Sequence, residues 1–506
     1  MRSIAALLAS LGAFGSAAAP PQTVPKDEEL KQYRKQLEPG SNVERRLVAM
    51  KNVAFYDAIP TTKLLVESLA ATLKKLDELA AKRADNDLKI ERILKGQIEK
   101  GGKDAKPNYA GVEELQAIQK GVGAQITAEE RAVHGYVEAL GSLKHDGSLD
   151  FLMGQKPKKP PRLQATLIES MGRIEDGRIA EHLIGLLNDE SFDVRTTAAA
   201  ALLKQKPEFV PAEAFAPLLR GSEWQERSLA IDALARLGSR DAVELLVNQT
   251  TREEGRMLAD LCGRLEQLTN QKLGKTPAAW VDWWQRAKGG FESRGIDISQ
   301  PAQVIKETGR YGNFFKVKFD SLRVVYVIDI SGSMLAAVDD FEDLHPAPGK
   351  SRIDLARREV KASLNALPPE SSFNLIAYSD VVLPWNDRNV PATAENKKGA
   401  FEWLDGLAAV GQTNIFDALD TAFHLAPHST KDHYYATTGD TILFLSDGGP
   451  TCGRTTDCDE IRRQVREWNE TRRITIHTVG IGKQTVRLFL EALAKESGGQ
   501  STFIEK

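Results

Sequence analysis

The run Arg323-Val324-Val325-Tyr326-Val327-Ile328 constrains this chain more than any other segment, because it is an almost unbroken series of β-branched and aromatic residues. A strand of that kind buries both faces, as happens inside a parallel sheet covered by helices. The same pattern returns at 373–378, 441–445, 474–479 and 501–504, and the stretch 314–318 alternates like an edge strand. Helical patterns at 352–367, 394–407, 415–425, 460–469 and 486–497 separate the later strands. Alternating strands and helices predict an α/β doubly wound domain over 310–506, whose ligands sit at the carboxyl ends of the strands. The first central strand ends in Asp329-Ile330-Ser331-Gly332-Ser333-Met334. Strand alternation points Asp329, Ser331 and Ser333 the same way, and Gly332 is expected to let the loop turn tightly, so hard oxygen donors converge there.

This segment resembles the Asp-x-Ser-x-Ser motif of von Willebrand factor type A domains, whose metal ion-dependent adhesion site also uses a Thr and a second Asp from later loops. Matching residues follow in order. Thr413 lies in Gly411-Gln412-Thr413-Asn414-Ile415 before a helix, and Asp447 lies in Leu445-Ser446-Asp447-Gly448-Gly449-Pro450 after a central strand. The resemblance implies a Rossmann-like sheet and a site made of Asp329, Ser331, Ser333, Thr413 and Asp447. Two carboxylates and three hydroxyls suit a hard cation, Mg²⁺ first and Mn²⁺ or Ca²⁺ next. It further implies a protein partner whose Asp or Glu carboxylate completes the coordination. Taken singly the residues have plainer readings: Asp-x-Ser-x-Ser or Thr413 as helix caps, and Asp447-Gly448 as a turn.

The chain has 506 residues, which predicts several cored units. Its formal net charge of −3 gives no bulk attraction for nucleic acid. At the N-terminus, Met1-Arg2-Ser3 precedes an apolar run at 4–14 and the small residues Ser16 to Ala19. This reads as a signal peptide over 1–19, too short to span a bilayer, and no other apolar run reaches about 18 residues. The expectation is an exported protein, bacterial in style, periplasmic or extracellular, with no transmembrane segment in the mature chain. Export favours disulfides, and Cys452 and Cys458 flank a short polar loop that predicts a staple. Cys262 sits in a helical apolar pattern and is expected as a buried thiol.

The N-terminal half reads as helical. Over 20–160, apolar residues on 3-and-4 spacing (Leu69, Leu73, Leu76, Ala80, Ile90, Leu94) are answered by Leu115, Ile118, Val122, Ile126, Val133, Tyr136 and Leu140, a long antiparallel hairpin. Arg83 and Asp87 interrupt its seam, which argues against a strict coiled coil, and the hairpin's charges read as a solvated face. Over 161–288, Met171-Gly172-Arg173-Ile174 returns as Leu234-Ala235-Arg236-Leu237, and Asp193-Val194-Arg195 as Gln225-Glu226-Arg227, giving units of about 32 residues. These units resemble HEAT repeats, which stack into an α-helical solenoid. Trp280, Trp283 and Trp284 are read as closing the end of that core, and 289–309 as a linker.

Asp339, Asp340, Glu342 and Asp343 read as a solvated acidic rim. His424, His428 and His433 have zinc-like spacing, but Pro427 keeps the first two off one helical face. No Gly-x-Ser-x-Gly elbow, His-Glu-x-x-His or phosphate-binding Gly-rich Lys loop is present, so a binding protein is expected rather than an enzyme. The alternatives are a metal-dependent hydrolase and a scaffold that binds mainly through its helical repeats.

Overall fold

The computed structural model describes residues 25–101, 113–157, 159–160, 162–298, 311–338, 349–425, 437–482 and 486–505. The expected signal peptide, the acidic residues 339–343, His428 and His433 therefore lie outside the described residues.

The C-terminal part is built on strands β3 (Arg323–Asp329), β4 (Ser372–Tyr378), β5 (Val382–Pro384), β6 (Val390–Pro391), β7 (Thr441–Ser446), β8 (Thr475–Ile481) and β9 (Ser501–Ile504). They form one sheet in the order β5-β4-β3-β7-β8-β9, with β6 also paired to β4. β4, β3, β7, β8 and β9 run parallel, whereas β5 and β6 pair antiparallel to β4. Successive residues face opposite layers: Val325, Val327, Ile442 and Phe444 pack toward helices Ile415–Phe423 and Cys458–Arg472, whereas Val324, Tyr326, Leu443 and Leu445 pack toward Arg352–Ala366 and Ala394–Gly406. The double-sided burial expected of these runs is thus met. The chain leaves β3 toward β4 and leaves β7 toward β8, on opposite sides, so a crevice opens between the carboxyl ends of β3 and β7.

One strand expectation is corrected. The segment 314–318 is not an edge of this sheet; β1 (Gly312–Phe314) and β2 (Val317–Phe319) form a separate antiparallel hairpin. Phe315 and Lys316 both adopt positive φ, at 49° and 70°, and reverse the chain between them. The short β5 and β6 were not legible in sequence, because each is only two or three residues long and ends in Pro.

The N-terminal part is helical. Helices Ile59–Gly101 and Glu113–Leu140 form the expected antiparallel hairpin, burying Leu69, Leu73, Leu76, Val122, Ile126, Tyr136 and Leu140; Ile118 stays exposed. Further helices from Arg162–Met171 to Pro277–Ala287 stack in chain order. Their period is visible in the contacts: Arg195 donates to the carbonyls of Asp189 and Glu190 and pairs with Glu226, and Arg227 donates to those of Gly221 and Ser222 and pairs with Glu253. Trp280 and Trp284 are buried, closing the stack as expected. The expected linker begins as packed chain, with Arg294 N–H donating to Gly238 O and Ile296 N–H to Ala235 O.

The two parts share a continuous core, in which the helix Cys458–Arg472 touches the repeat helices Phe192–Leu202 and Trp224–Leu237. Polar contacts cross the same boundary. His134 Nε2 lies 2.9 Å from Glu467, and Lys204 Nζ 2.7 Å from Glu470. Burial pulls His134 down, but the hydrogen bond and charge of Glu467 outweigh it and raise its pKa. Arg83, which interrupts the hairpin seam, reaches Asp417 at 2.6 Å on the helix that follows Thr413. The reading of this charge as merely solvated is corrected: the residue is wrong for the hairpin seam because it serves a contact outside it.

Candidate metal site

Asp329 is the last residue of β3, and Asp447 follows the last residue of β7, so the parallel pairing of these strands brings two carboxylates to one end of the sheet. Both are buried. Ser331 and Ser333 come from the turn after β3, and their hydroxyls lie 3.0 Å apart. Ser333 Oγ donates to Asp447 Oδ1 at 2.8 Å, and Ser331 N–H donates to Asp329 Oδ1 at 2.8 Å. These four predicted residues therefore form one connected cluster.

Thr413 lies on the neighbouring loop, and its contacts with this region run through the backbone and Thr451 rather than through its own hydroxyl. Its N–H donates to Thr451 Oγ at 2.8 Å, and its carbonyl accepts from Thr451 N–H at 2.9 Å, which ties its loop to the segment following Asp447. On the other side, Gly332 N–H donates to Gly411 O at 2.9 Å. The glycine that this loop needs is Gly411, at φ 83°, whereas Gly332 has an ordinary φ and sits in a short 3₁₀ turn. The expectation that Gly332 makes the tight turn is corrected accordingly.

Three residues of the site were not found from sequence. Asp329 Oδ2 accepts from Ser446 Oγ at 2.9 Å and from the Tyr378 hydroxyl at 3.3 Å. Arg352 Nη1 donates to Asp447 Oδ2 at 2.9 Å, and both side chains are buried. Tyr378 and Ser446 look like ordinary strand-end residues. The only signal for Arg352 was a cationic residue at the start of an amphipathic helix.

Burial and the neighbouring charge of Asp447 push Asp329 up to about 7. Burial also raises Asp447, against the hydrogen bonds of Arg352 and Ser333. Two carboxylates held together in a dry crevice repel unless a cation or a proton compensates them. With neutral hydroxyls completing the set, the donor chemistry fits a hard divalent cation. Among the described residues no cluster of His, Cys, Asp and Glu offers another metal site. His424 is engaged by Asp420, its Nδ1 lying 2.9 Å from Oδ1.

Cys452 and Cys458 carry free thiols, so the expected staple is absent from this structure. Cys452 N–H is directed to Thr413 O at 3.3 Å, and Cys458 begins a helix capped by Asp457. Cys262 is buried as expected, and burial pushes its thiol up to about 12.

Residues 322–503 match the family model of the von Willebrand factor type A domain. The chain is similar to human inter-alpha-trypsin inhibitor heavy chain H4, with 34% identity over 177 residues, covering 35% of this chain and 17% of the relative. The bovine protein of that name is 31% identical over 220 residues, covering 42% of this chain and 22% of the relative. The chain thus spans about a fifth of the length of these curated relatives. Among solved structures, a von Willebrand factor type A protein from Catenulispora acidiphila matches with TM-score 0.29 and 19% identity, over 38% of this chain and 40% of that one. Proximal thread matrix protein 1 from the mussel byssus, with a zinc-occupied MIDAS motif, matches with TM-score 0.26 and 17% identity, over 36% and 41%. The chain is a helical N-terminal region followed by a von Willebrand factor type A α/β domain with a mostly parallel sheet.

Proposed function

We propose that this is an exported, metal-dependent protein-binding protein and not an enzyme. In this reading Asp329, Ser331, Ser333, Thr413 and Asp447 hold Mg²⁺, or Mn²⁺ or Ca²⁺, and a partner's Asp or Glu carboxylate completes the site. The observation that carries it is the convergence of two buried carboxylates and two serine hydroxyls at the β3/β7 crevice. A bound divalent ion supplies the positive charge that a partner carboxylate seeks. The protein's residues fix the donor positions, and Arg83, Asp417 and Asn414 brace the helix behind Thr413. We read the stacked helices as HEAT-like repeats that scaffold this domain. The curated relatives are named as heavy chains of an inhibitor, which agrees with a binding role.

Capture of a partner from the exported fraction, with and without EDTA, tests the proposal. Thr413→Val removes one neutral donor at nearly constant volume, and the fold should survive. Binding should weaken by about 2 to 5 kcal/mol, mainly as faster dissociation, because a desolvated carboxylate loses its counter-charge. Capture that persists in EDTA and ignores Thr413→Val would move the interface to the helical repeats. Metal-dependent ester or phosphate hydrolysis abolished by Asp447→Asn would replace the binding reading with an enzymatic one.

A further inference from the structure

The hairpin of helices Ile59–Gly101 and Glu113–Leu140 meets three segments at the carboxyl end of the sheet, each through different chemistry. Arg83 Nη2 lies 2.6 Å from Asp417 Oδ1, on the helix that starts two residues after Thr413. Arg454, in the segment that follows Asp447, lies 2.7 Å from Asp420 on that same helix and 3.3 Å from Glu130 of the hairpin. Its guanidinium also covers the Phe416 ring, 4.2 Å from the centroid. Ile90, which is buried, packs against Leu115 of the facing hairpin helix and against Val381 in the turn between β4 and β5.

These contacts are largely shielded from water: the side chains of Arg454 and Asp417 are 5% and 8% exposed. Gly123 of the hairpin makes the close approach possible, since a Cβ there would lie 2.9 Å from Arg454 Cγ. From this boundary the hold passes to the site in few steps. Asp417 N–H donates to Asn414 Oδ1 at 3.2 Å and Asn414 Nδ2 donates to Asp417 Oδ2 at 2.8 Å, which fixes the residue next to Thr413. Asn414 N–H donates to Ser379 O at 3.1 Å, and Gln412 N–H to Asp380 Oδ2 at 3.0 Å. The turn that Ile90 presses on therefore holds Thr413 from both sides.

We propose that the helical hairpin is a clamp on the metal site, with Arg83 and Arg454 as positioning residues that keep Thr413 and the chain after Asp447 in the cation-competent arrangement. This rests on the metal-binding reading above. A loop that fluctuates binds an ion only in its competent fraction, and the apparent dissociation constant rises as that fraction falls. Cation binding and hairpin docking are then linked, and the linkage is reciprocal: whatever docking adds to cation affinity, the bound cation adds to docking. The sign of the effect separates a clamp from simple electrostatics. Deleting the positive charge of Arg83 would by Coulomb interaction leave cation binding unchanged or tighten it, whereas loosening a clamp weakens it.

The test uses the full chain, stripped with EDTA and dialysed. Mn²⁺ is titrated calorimetrically into wild type, Arg83→Met and Gly123→Ala, and amide hydrogen exchange is followed by mass spectrometry with and without saturating Mn²⁺. Neither substituted residue belongs to the proposed ligand set. Gly123→Ala favours the helix that carries it while displacing Arg454, so it keeps the hairpin folded should Arg83→Met fail to fold. Both variants should bind Mn²⁺ about tenfold more weakly, within the usual range of coupling between sites. Exchange at 411–423 should be faster in the metal-free variants than in metal-free wild type, and Mn²⁺ should slow exchange at 119–133 in wild type. Folded variants that bind Mn²⁺ as wild type does, or more tightly, overturn the clamp and leave the metal site standing. Wild-type exchange at 119–133 that ignores saturating Mn²⁺ overturns it as well. Wild type that binds no Mn²⁺ at all overturns both.

Discussion

In metal-free protein, Asp447→Ala should cost about 3 kcal/mol of stability, whereas Asp329→Asn should be neutral or stabilising, although both remove a carboxylate from the same site. The difference lies in the partners. Asp447 is the carboxylate that compensates the buried Arg352, and breaking a buried pair from one side typically costs about 3 to 5 kcal/mol. Relief of repulsion between the two aspartates offsets part of that, which sets the expectation near the lower end. Among the described residues no cation forms an ion pair with Asp329, and its ionised form is opposed by burial and by Asp447. An amide there can still accept from Ser331 N–H, while Tyr378 and Ser446 keep Leu445 O and Gly448 O as acceptors. The pH dependence has a defined sign. A carboxyl raised to about 7 in the fold disfavours folding when ionised, so this group makes metal-free wild type lose stability as pH rises from about 4 to 7. Asp329→Asn should remove that slope. Chemical denaturation in EDTA across this range checks both statements, and equal destabilisation by the two substitutions would contradict the assignment.

A second large effect is expected far from the site. Arg46 Nη1 lies 2.7 Å from Glu129 Oε2, both side chains are buried, and Glu129 Oε1 also accepts from Gly40 N–H at 2.6 Å. Glu129→Gln keeps the shape and removes the charge, leaving Arg46 a buried cation that faces only neutral side-chain acceptors: one amide oxygen where two carboxylate oxygens served Arg46 and Gly40, and Thr72 Oγ1 at 2.6 Å. The expected loss is about 3 to 5 kcal/mol. Arg46→Met combined with Glu129→Gln should cost clearly less than the two single changes added together, because both break one pair. Denaturation midpoints followed by helical circular dichroism measure this. The shared hydrophobic core predicts that the C-terminal domain loosens in the same transition, which near-ultraviolet circular dichroism would register. Additive single effects would mean that the pair is not coupled.

The domain order and the main sheet were readable because double-sided burial forces uniform β-branched runs, and 324–328 or 441–445 can hardly be anything else. Asp329, Ser331 and Ser333 were readable because they follow such a run at strand spacing. Thr413 and Asp447 needed the family resemblance, since a lone Thr before a helix or an Asp-Gly turn says little by itself. Arg352 and Tyr378 reach the site only through tertiary packing: one comes from the helix that follows β3, the other from the neighbouring strand in register with Asp329. Charges misled in two places. Arg83 and Glu129 lie in the hairpin whose charges read as a solvated face, yet one docks on Asp417 and the other is buried against Arg46. Periodicity reports which face is apolar and is silent about a cation that finds its carboxylate elsewhere in the chain.

The central claim is that the β3/β7 crevice binds a divalent cation, and a melting-temperature titration tests it most directly. Wild type and Asp329→Ala, both stripped with EDTA and dialysed, would be melted in rising Mg²⁺, Mn²⁺ and Ca²⁺. Saturation to about a hundred times Kd should stabilise wild type by about 2.7 kcal/mol, and the variant should not respond. A wild-type melting temperature indifferent to all three ions, or an equal rise in Asp329→Ala, would contradict the account.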